Sequence, residues 1–496
     1  MVKGAKTMTS DTAIDLALPR ARPSVLTAVQ VERLHEEALS ILARVGIVLN
    51  SQPSRTLLHA RGADVHEGSG LVRIPRRLVE QALASAPREF TLHGGSAQAE
   101  GCAFGVDGGQ YGRPISGLNW IVDAGQVHRR EVTEADAVGW TRVAHGLPNI
   151  HVVSAAYDQE GHPNSMEVRA VGRMLQNTDK PLMMSGVSGE GMRWVKRLTE
   201  VTQPAGRQPR VMVLSSINSP LTYGSGQTEA AMVAAEPGIP VAINSSAVAG
   251  VTAPVTLAGA LAQMHAEMLA ALAIVQLHSP GAPVIYTGHP LVMDMKTGLA
   301  SVGFAEMALL QAACVDIGRY FGLPTGSNGL VTDACTPDAM AASEKWSSGY
   351  LPALAGANIN GGAGSLACLS TISLEQLVID DDIYGRMWRQ LKGFGLDDDT
   401  LAAEVVVRSA PGGAFLADEH TLAHFRGEYW YSGLASRLCA PSWEAEGAAE
   451  VGRRAAERVR QLLTTWRPVL SAEQSREVSQ LVARAETALA AIDLPA

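Results

Sequence analysis

Pro240 to His289 reads P-V-A-I-N-S-S-A-V-A-G-V-T-A-P-V-T-L-A-G-A-L-A-Q-M-H-A-E-M-L-A-A-L-A-I-V-Q-L-H-S-P-G-A-P-V-I-Y-T-G-H. An apolar run, Val241 to Ile243, ends in Asn244-Ser245-Ser246. A Gly/Thr/Pro turn follows, then a long Ala/Leu-rich helix. A second apolar run, Val284 to Tyr286, ends in Thr287-Gly288-His289. Strands without polar alternation are buried on both faces, as parallel strands under helices are. The unit therefore predicts an α/β fold with a parallel sheet or barrel. Chemistry in such folds gathers at the carboxyl ends of strands, where Asn244 and His289 fall.

The alternation continues in both directions. Further strand candidates are Ile150–Ala156, Leu182–Gly186, Val211–Ile217, Pro324–Ser327 and Ala357–Gly362, with helical stretches between them. Seven βα units are visible, and an eighth strand is sought at Glu404–Val407. Repeated units with short connections favour a (β/α)8 TIM barrel over an open sheet, and no GxGxxG follows the first strand. Four segments are expected. Residues 1–23 form a flexible polar lead. Residues 24–130 form a helical segment and a Gly-rich β excursion. The barrel occupies 131–417, and a lid with two helices makes a C-terminal extension over 418–496. Thr27, Ser51 and Pro75 open the three N-terminal helices.

The chain has 496 residues, 46% hydrophobic and 18% charged, with a formal net charge of −9. That composition suits an enzyme with a large interior and lacks the basic stripe of a nucleic-acid binder. No uninterrupted apolar run reaches the ~18 to 20 residues of a membrane span. Five scattered cysteines without a CxxC predict a reduced, cytoplasmic setting.

Polar groups at strand ends are the site candidates: Tyr157, Asp158, Ser185, Asn218, Asn244, His289, Asn328, Asn358 and Asn360. Their composition suits hydrogen-bond recognition of a polar ligand and offers no acid/base pair. No residue is assigned bond-making. Asn244, His289 and Asn218 are expected to position the substrate, with Asn328 and Asn360 binding it. Aromatic residues are few, so Trp120, Tyr157, Trp346 and Tyr350 are candidates for a box around a cation, with Tyr111, Trp430 and Tyr431 behind them. His265 and Glu267 are read as outer-face helix residues. His420 and His424 have i, i+4 spacing but no zincin glutamate, so no metal is expected. G-S-G-Q at 224–227 and G-G-A-G at 361–364 lack the P-loop lysine and read as tight turns. A barrel lyase or aldolase would need a Schiff-base lysine in a strand, whereas Lys180, Lys196, Lys296 and Lys345 fall in turns or helices.

Longer motifs carry a resemblance. L-H-E-E-A-L-S-I-L-A-R-V-G-I at 34–47, I-P-R-R-L-V-E-Q-A-L-A-S-A-P at 74–87, N-S-P-L at 218–221 and G-V-T-A-P-V-T-L-A-G at 250–259 belong to it. So do S-L-E-Q-L-V-I-D-D-D-I at 373–383 and P-G-G-A-F-L-A-D-E-H-T-L-A-H-F-R at 411–426. Together they resemble the trimethylamine methyltransferase superfamily over residues 30 to 450. The resemblance implies a (β/α)8 barrel that moves a methyl group from an amine to Co(I) of a corrinoid (cobalamin) on a separate partner protein. Founding members carry pyrrolysine after the sixth strand. The matching stretch here, S-N-G-L-V-T-D-A-C-T-P-D at 327–338, holds only ordinary residues. That is similar to the non-pyrrolysine branch, whose substrates are quaternary amines such as glycine betaine. A quaternary nitrogen leaves as a neutral amine, so the missing acid/base dyad is consistent with it. A substrate carboxylate would be gripped by His289, Arg426 or Arg113. A non-catalytic betaine-binding barrel is the other reading of the same motifs. The C-terminal helices and the apolar composition predict a homo-oligomer, by default a dimer.

Overall fold

Eight parallel strands close a cylinder in the computed structural model, which describes residues 23–96, 99–203 and 209–492. The strands are Tyr111–Pro114, Val153–Ser154, Leu182–Ser185, Val211–Ile217, Val241–Ser245, Val284–Gly288, Thr325–Ser327 and Ile359–Ala363. From the second to the eighth each pairs with its neighbour in chain order, and the eighth pairs with the first. The last seam, between first and second, is closed by a parallel bridge from Gly112 to Ile150 and by the His151 amide donating to the Gly112 carbonyl at 2.8 Å. Helices cover the outside, so the (β/α)8 architecture read from the sequence is present.

The barrel does not begin at residue 131. Its first strand, Tyr111–Pro114, lies in the stretch assigned to the β excursion. With only four residues, two of them Gly112 and Arg113, it gives no apolar run to recognise. The seven strands seen in the sequence are therefore the second to the eighth. No strand forms at Glu404–Val407: Ala403–Ser409 is a helix, and of its valines only Val405 is buried. A three-residue apolar run does not distinguish the two states. The lead expected at 1–23 lies, apart from residue 23, outside the described residues.

Strand alternation sorts the interior. Tyr111, Val152, Met183, Met212, Leu214, Ala242, Ile285 and Ile359 form one apolar cluster inside the cylinder. Leu92, Cys102 and Phe104 join it from the antiparallel hairpin Glu89–Leu92/Cys102–Gly105, which plugs the amino-terminal end. Phe104 packs 5.4 Å from Tyr111, ring centre to ring centre. Each fully buried side chain of this size contributes about 1.5–3 kcal/mol. The floor is thus dry and sealed, and access is from the carboxyl-terminal mouth.

The helix Leu257–His278 is apolar all round. By length and composition it is long enough to cross a membrane, yet 83% of its most apolar window is buried. The helices Ala28–Arg44 and Arg76–Ser85 lie over the side that faces solvent in an ordinary barrel helix. Hence His265 and Glu267 are not outer-face residues; both are 0% exposed. His265 bonds Tyr286 Oη at 2.8 Å and His35 at 3.0 Å. The Glu267 carboxylate accepts from Ser219 Oγ, Ser245 Oγ, the Leu221 amide and Gln263 Nε2. It ties the loops after the fourth and fifth strands together. The C-terminal helices Val451–Thr465 and Ala472–Ala490 wrap the barrel's flank, where Trp466 Nε1 donates to the Asn177 carbonyl at 3.0 Å.

Candidate active site

Two residues beyond the apolar floor, the same inward parity brings Arg113, Ser154, Ser185, Ser216, Asn244 and Thr287 into one polar tier. Above it come Ser246 and His289. Ser185, Ser216 and Ser246 are only half-buried, so the mouth is open to solvent. The interior changes from hydrocarbon to hydrogen-bonding groups over one strand repeat.

Several of these groups lack partners. Among the described residues, Arg113 Nε, Ser154 Oγ, Asn244 Oδ1, Thr287 Oγ1 and His289 Nε2 are buried without a hydrogen bond. A buried polar atom left unbonded costs about 1–3 kcal/mol. These five orphans come from four of the eight strands, Thr287 and His289 sharing the sixth, and their common inward parity marks a ligand cavity; Ser327 Oγ and Asn360 Oδ1, also unbonded, have the outward parity.

Arg113 is the centre of the tier and is 1% exposed. One terminal nitrogen donates to the Pro114 carbonyl at 3.0 Å and the other to Asn328 Oδ1. No carboxylate lies within ion-pair distance among the described residues. Burial lowers its pKa to about 10, which leaves it cationic at neutral pH. Gly361 makes room for it: a Cβ there would stand 2.4 Å from Arg113 Cζ. The G-G-A-G stretch at 361–364 is not the tight turn expected: Gly361 to Ala363 lie in the eighth strand, and Gly361 is there for this close approach. Asn328 is fixed in turn, because its carbonyl accepts from Gln311 Nε2 at 3.0 Å.

His289 is held neutral. Burial, and then the Arg113 charge, lower its pKa to about 4. Asn244 Nδ2 donates to Ser246 Oγ at 2.9 Å and more weakly to Ser216 Oγ at 3.5 Å. Tyr157 stands beside Ser185, its hydroxyl 3.4 Å from the Ser185 amide, and burial raises its pKa to about 12.

The other sequence candidates lie elsewhere. Asn360 has the outward parity: its Nδ2 donates to the Gly349 carbonyl in the helix Ala339–Ala355 at 2.7 Å. Trp346 and Tyr350 stack on each other in that helix, 5.0 Å apart. Trp346 lines an outer cleft with Ile379, Asp382 and Arg386. Trp120 lies in a small sheet near the mouth, and its face is covered by Arg129 at 4.6 Å. Asn218 is exposed and lines an outer cleft of about 640 Å³ with Ser188 and His278. Arg426 is exposed, and its guanidinium sits over its neighbour Phe425. Tyr111 is part of the floor, and Trp430 packs against Gly385. No four-sided aromatic cage forms from the expected residues. Tyr157 alone of the four is beside the polar tier. Helical proximity in sequence gave no information on which side of the helix layer Trp346 and Tyr350 face.

The lysines a lyase would need are committed. Lys180 Nζ donates to the carbonyls of Ala144, Leu147 and Ile150, and Lys345 Nζ to Asp380 and the Leu330 carbonyl. Lys196 and Lys296 are exposed. Arg113 was legible only as one of three carboxylate grips. Ser154, Ser216 and Thr287 were missed as ligand groups. Their signal is position i+2 after an inward apolar residue, readable only once the register is known.

The profile of the trimethylamine methyltransferase (MTTB) family matches residues 4–490. Trimethylamine methyltransferase MttB of Desulfitobacterium hafniense strain DCB-2 is 30% identical over 442 residues, covering 88% of each chain. Glycine betaine methyltransferase of Desulfitobacterium hafniense strain Y51 is 31% identical over 455 residues, covering 90% of this chain and 93% of that one. Among solved structures, the monomethylamine methyltransferase of Methanosarcina barkeri superposes with a TM-score of 0.46 at 10% identity, covering 94% of this chain and 93% of that one.

Proposed function

The chain belongs to the trimethylamine methyltransferase family and is a methyltransferase; from that premise we propose that it demethylates a carboxylate-bearing quaternary amine, glycine betaine or a close analogue, and passes the methyl to a corrinoid on a separate protein. The observation that carries this reading is Arg113, a buried guanidinium without a counter-anion among the described residues, set among unbonded polar atoms. An uncompensated buried charge is costly, so its retention argues for a ligand that supplies the missing negative charge. A carboxylate matches the guanidinium's two-pronged geometry. The chain is 31% identical to a glycine betaine methyltransferase and 30% identical to a trimethylamine methyltransferase, so the choice of substrate rests on Arg113.

With the carboxylate at Arg113, the ammonium end lies toward the mouth, near Ser216, Ser246 and Asn244. His289, neutral at physiological pH, adds no positive charge beside the onium. Asn244 Oδ1 and Thr287 Oγ1 present dipoles that orient the cation without neutralising it, so its methyl carbons stay electrophilic. The plugged floor excludes water from below. The nitrogen departs as a neutral tertiary amine, so no side chain has to deliver a proton. A reduced corrinoid, when docked, supplies the nucleophilic cobalt that accepts the methyl. The open mouth fits an approach from one face only. The stretch at 327–338, which follows the seventh strand of the barrel and not the sixth, carries ordinary side chains.

The test is methylation of Co(I) cobalamin, followed by its visible spectrum, with glycine betaine, proline betaine, carnitine, choline and trimethylamine. Turnover of a betaine with release of its tertiary amine supports the proposal. Turnover of trimethylamine with none of any betaine refutes it.

The protein acts as a homo-oligomer in this reading. Phe394, Leu396, Val407, Leu416, Leu422 and Tyr429 are each more than 65% exposed in one C-terminal stretch. A stable interface takes about 800 Å² from each partner, and these exposed side chains are the apolar groups this stretch offers to one. The stretch lies by the amino-terminal side of the barrel, where Asp381 accepts from the Asn149 amide and Arg389 donates to the Glu428 carbonyl. That is opposite the mouth, which leaves the corrinoid partner's approach free. A cytoplasmic placement is consistent with five free cysteines.

A further inference from the structure

We propose that Asp399, His420 and His424 form a metal site, for zinc by its donor chemistry, that staples two helices of the C-terminal extension. His420 and His424 are one turn apart on the helix Glu419–Glu428 and share a face. Their rings stand 4.1 Å apart, centre to centre. Asp399 comes from a separate short helix, Asp398–Leu401. The fold brings it to the histidine pair, so that one ligand atom from each residue lies within 4.8 Å of the others. His424 Nε2 is 3.3 Å from the Asp399 carboxylate, and His420 Nε2 is 3.0 Å from the Asp399 carbonyl.

Two imidazoles and one carboxylate supply three of zinc's four tetrahedral positions, and at this solvent-accessible place water completes the fourth. Two nitrogen donors argue against magnesium or calcium, which take oxygen. A second observation gives such a site a structural purpose. The helices Asp398–Leu401, Glu419–Glu428 and Ala440–Ala445 bury no residue, and Ala403–Ser409 buries only Val405. A segment without its own core is held weakly by its surface contacts. An exposed ion pair adds about 0–1 kcal/mol, whereas a bound metal contributes its binding free energy directly to folding. The location is remote from the barrel mouth, so the site is structural and independent of the reaction proposed above.

The test uses the full chain without a polyhistidine tag, stripped with a chelator and titrated with Zn²⁺ by calorimetry. Co²⁺ in parallel reports four-coordinate geometry by its visible absorption. One equivalent of Zn²⁺ is expected to bind and to slow hydrogen exchange across residues 398–428. His420→Ala, His424→Ala and Asp399→Asn should each weaken binding by more than about 100-fold, since loss of even an outer hydrogen-bond partner costs about 10- to 100-fold. Circular dichroism checks that the variants remain folded. Absence of stoichiometric binding overturns the proposal. So does binding that all three variants retain, because the metal is then elsewhere. If exchange across 398–428 is unchanged by bound Zn²⁺, the stapling role is refuted.

Discussion

Replacing Arg113 by methionine separates a substrate-binding guanidinium from a structural one. The side chain is 1% exposed and has two neutral acceptors and no carboxylate among the described residues. Methionine keeps the length of the stem and removes the charge. If a substrate carboxylate completes the pair, its loss costs about 3–5 kcal/mol, the cost of breaking a buried pair. At 1.36 kcal/mol per decade this is about 10²- to 10⁴-fold in kcat/KM for glycine betaine. Choline has the same trimethylammonium group and no carboxylate, so its turnover should be unchanged or improved. The ligand-free variant should melt no lower than the parent, because an unpaired buried charge has been removed. The assay is methylation of Co(I) cobalamin with each substrate, beside thermal melting without substrate. Equal losses for glycine betaine and choline, together with a lowered melting temperature, would show that Arg113 only supports the fold, and the substrate reading would fail.

Four further outcomes follow from the same geometry. Gly361→Ala places a methyl 2.4 Å from Arg113 Cζ, and steady-state kinetics should show betaine turnover falling at least about tenfold while choline turnover changes little, as a displacement of about 1 Å is sufficient for such losses. Burial holds His151 and His289 neutral, lowering them to about 3 and about 4. Their stabilising contribution is whole above pH ~6.5, where unfolded histidine titrates, and is lost as pH falls toward those values, at up to about 1.4 kcal/mol per pH unit for each; denaturant midpoints between pH 7 and 5 should drop accordingly, and a His289 ring signal titrating near 6.5 by NMR would contradict this. Lys345 and Asp380 pair at 2.8 Å with both side chains fully buried, so Lys345→Met should cost about 3–5 kcal/mol in urea unfolding and the double variant with Asp380→Asn less than that. Val407→Glu with Leu416→Glu, at positions 71% and 88% exposed, should convert an oligomer to monomer in size-exclusion chromatography with light scattering, and an unchanged mass would place the interface elsewhere.

The sequence alone determined the architecture. Val241–Ile243 and Val284–Tyr286 are apolar on both faces, and only a helix-covered parallel sheet buries both. Helix starts were equally local: Thr27 and Ser51 accept from their own first-turn amides. Strand-end positions also located Asn244, His289 and Asn328 at the mouth. Tertiary structure decided the rest. The four-residue strand Tyr111–Pro114 carries almost no local signal and exists because the eighth strand offers it an edge. Whether Asn360 faces the ligand or a helix depends on register, since one step along a strand exchanges the two faces. Burial of His265 and Glu267 needed the overlying N-terminal helices, and Asp399 meets His420 and His424 only after folding. Periodicity records which faces of an element are covered; what covers them is a contact between residues far apart in the chain, and no local pattern encodes it.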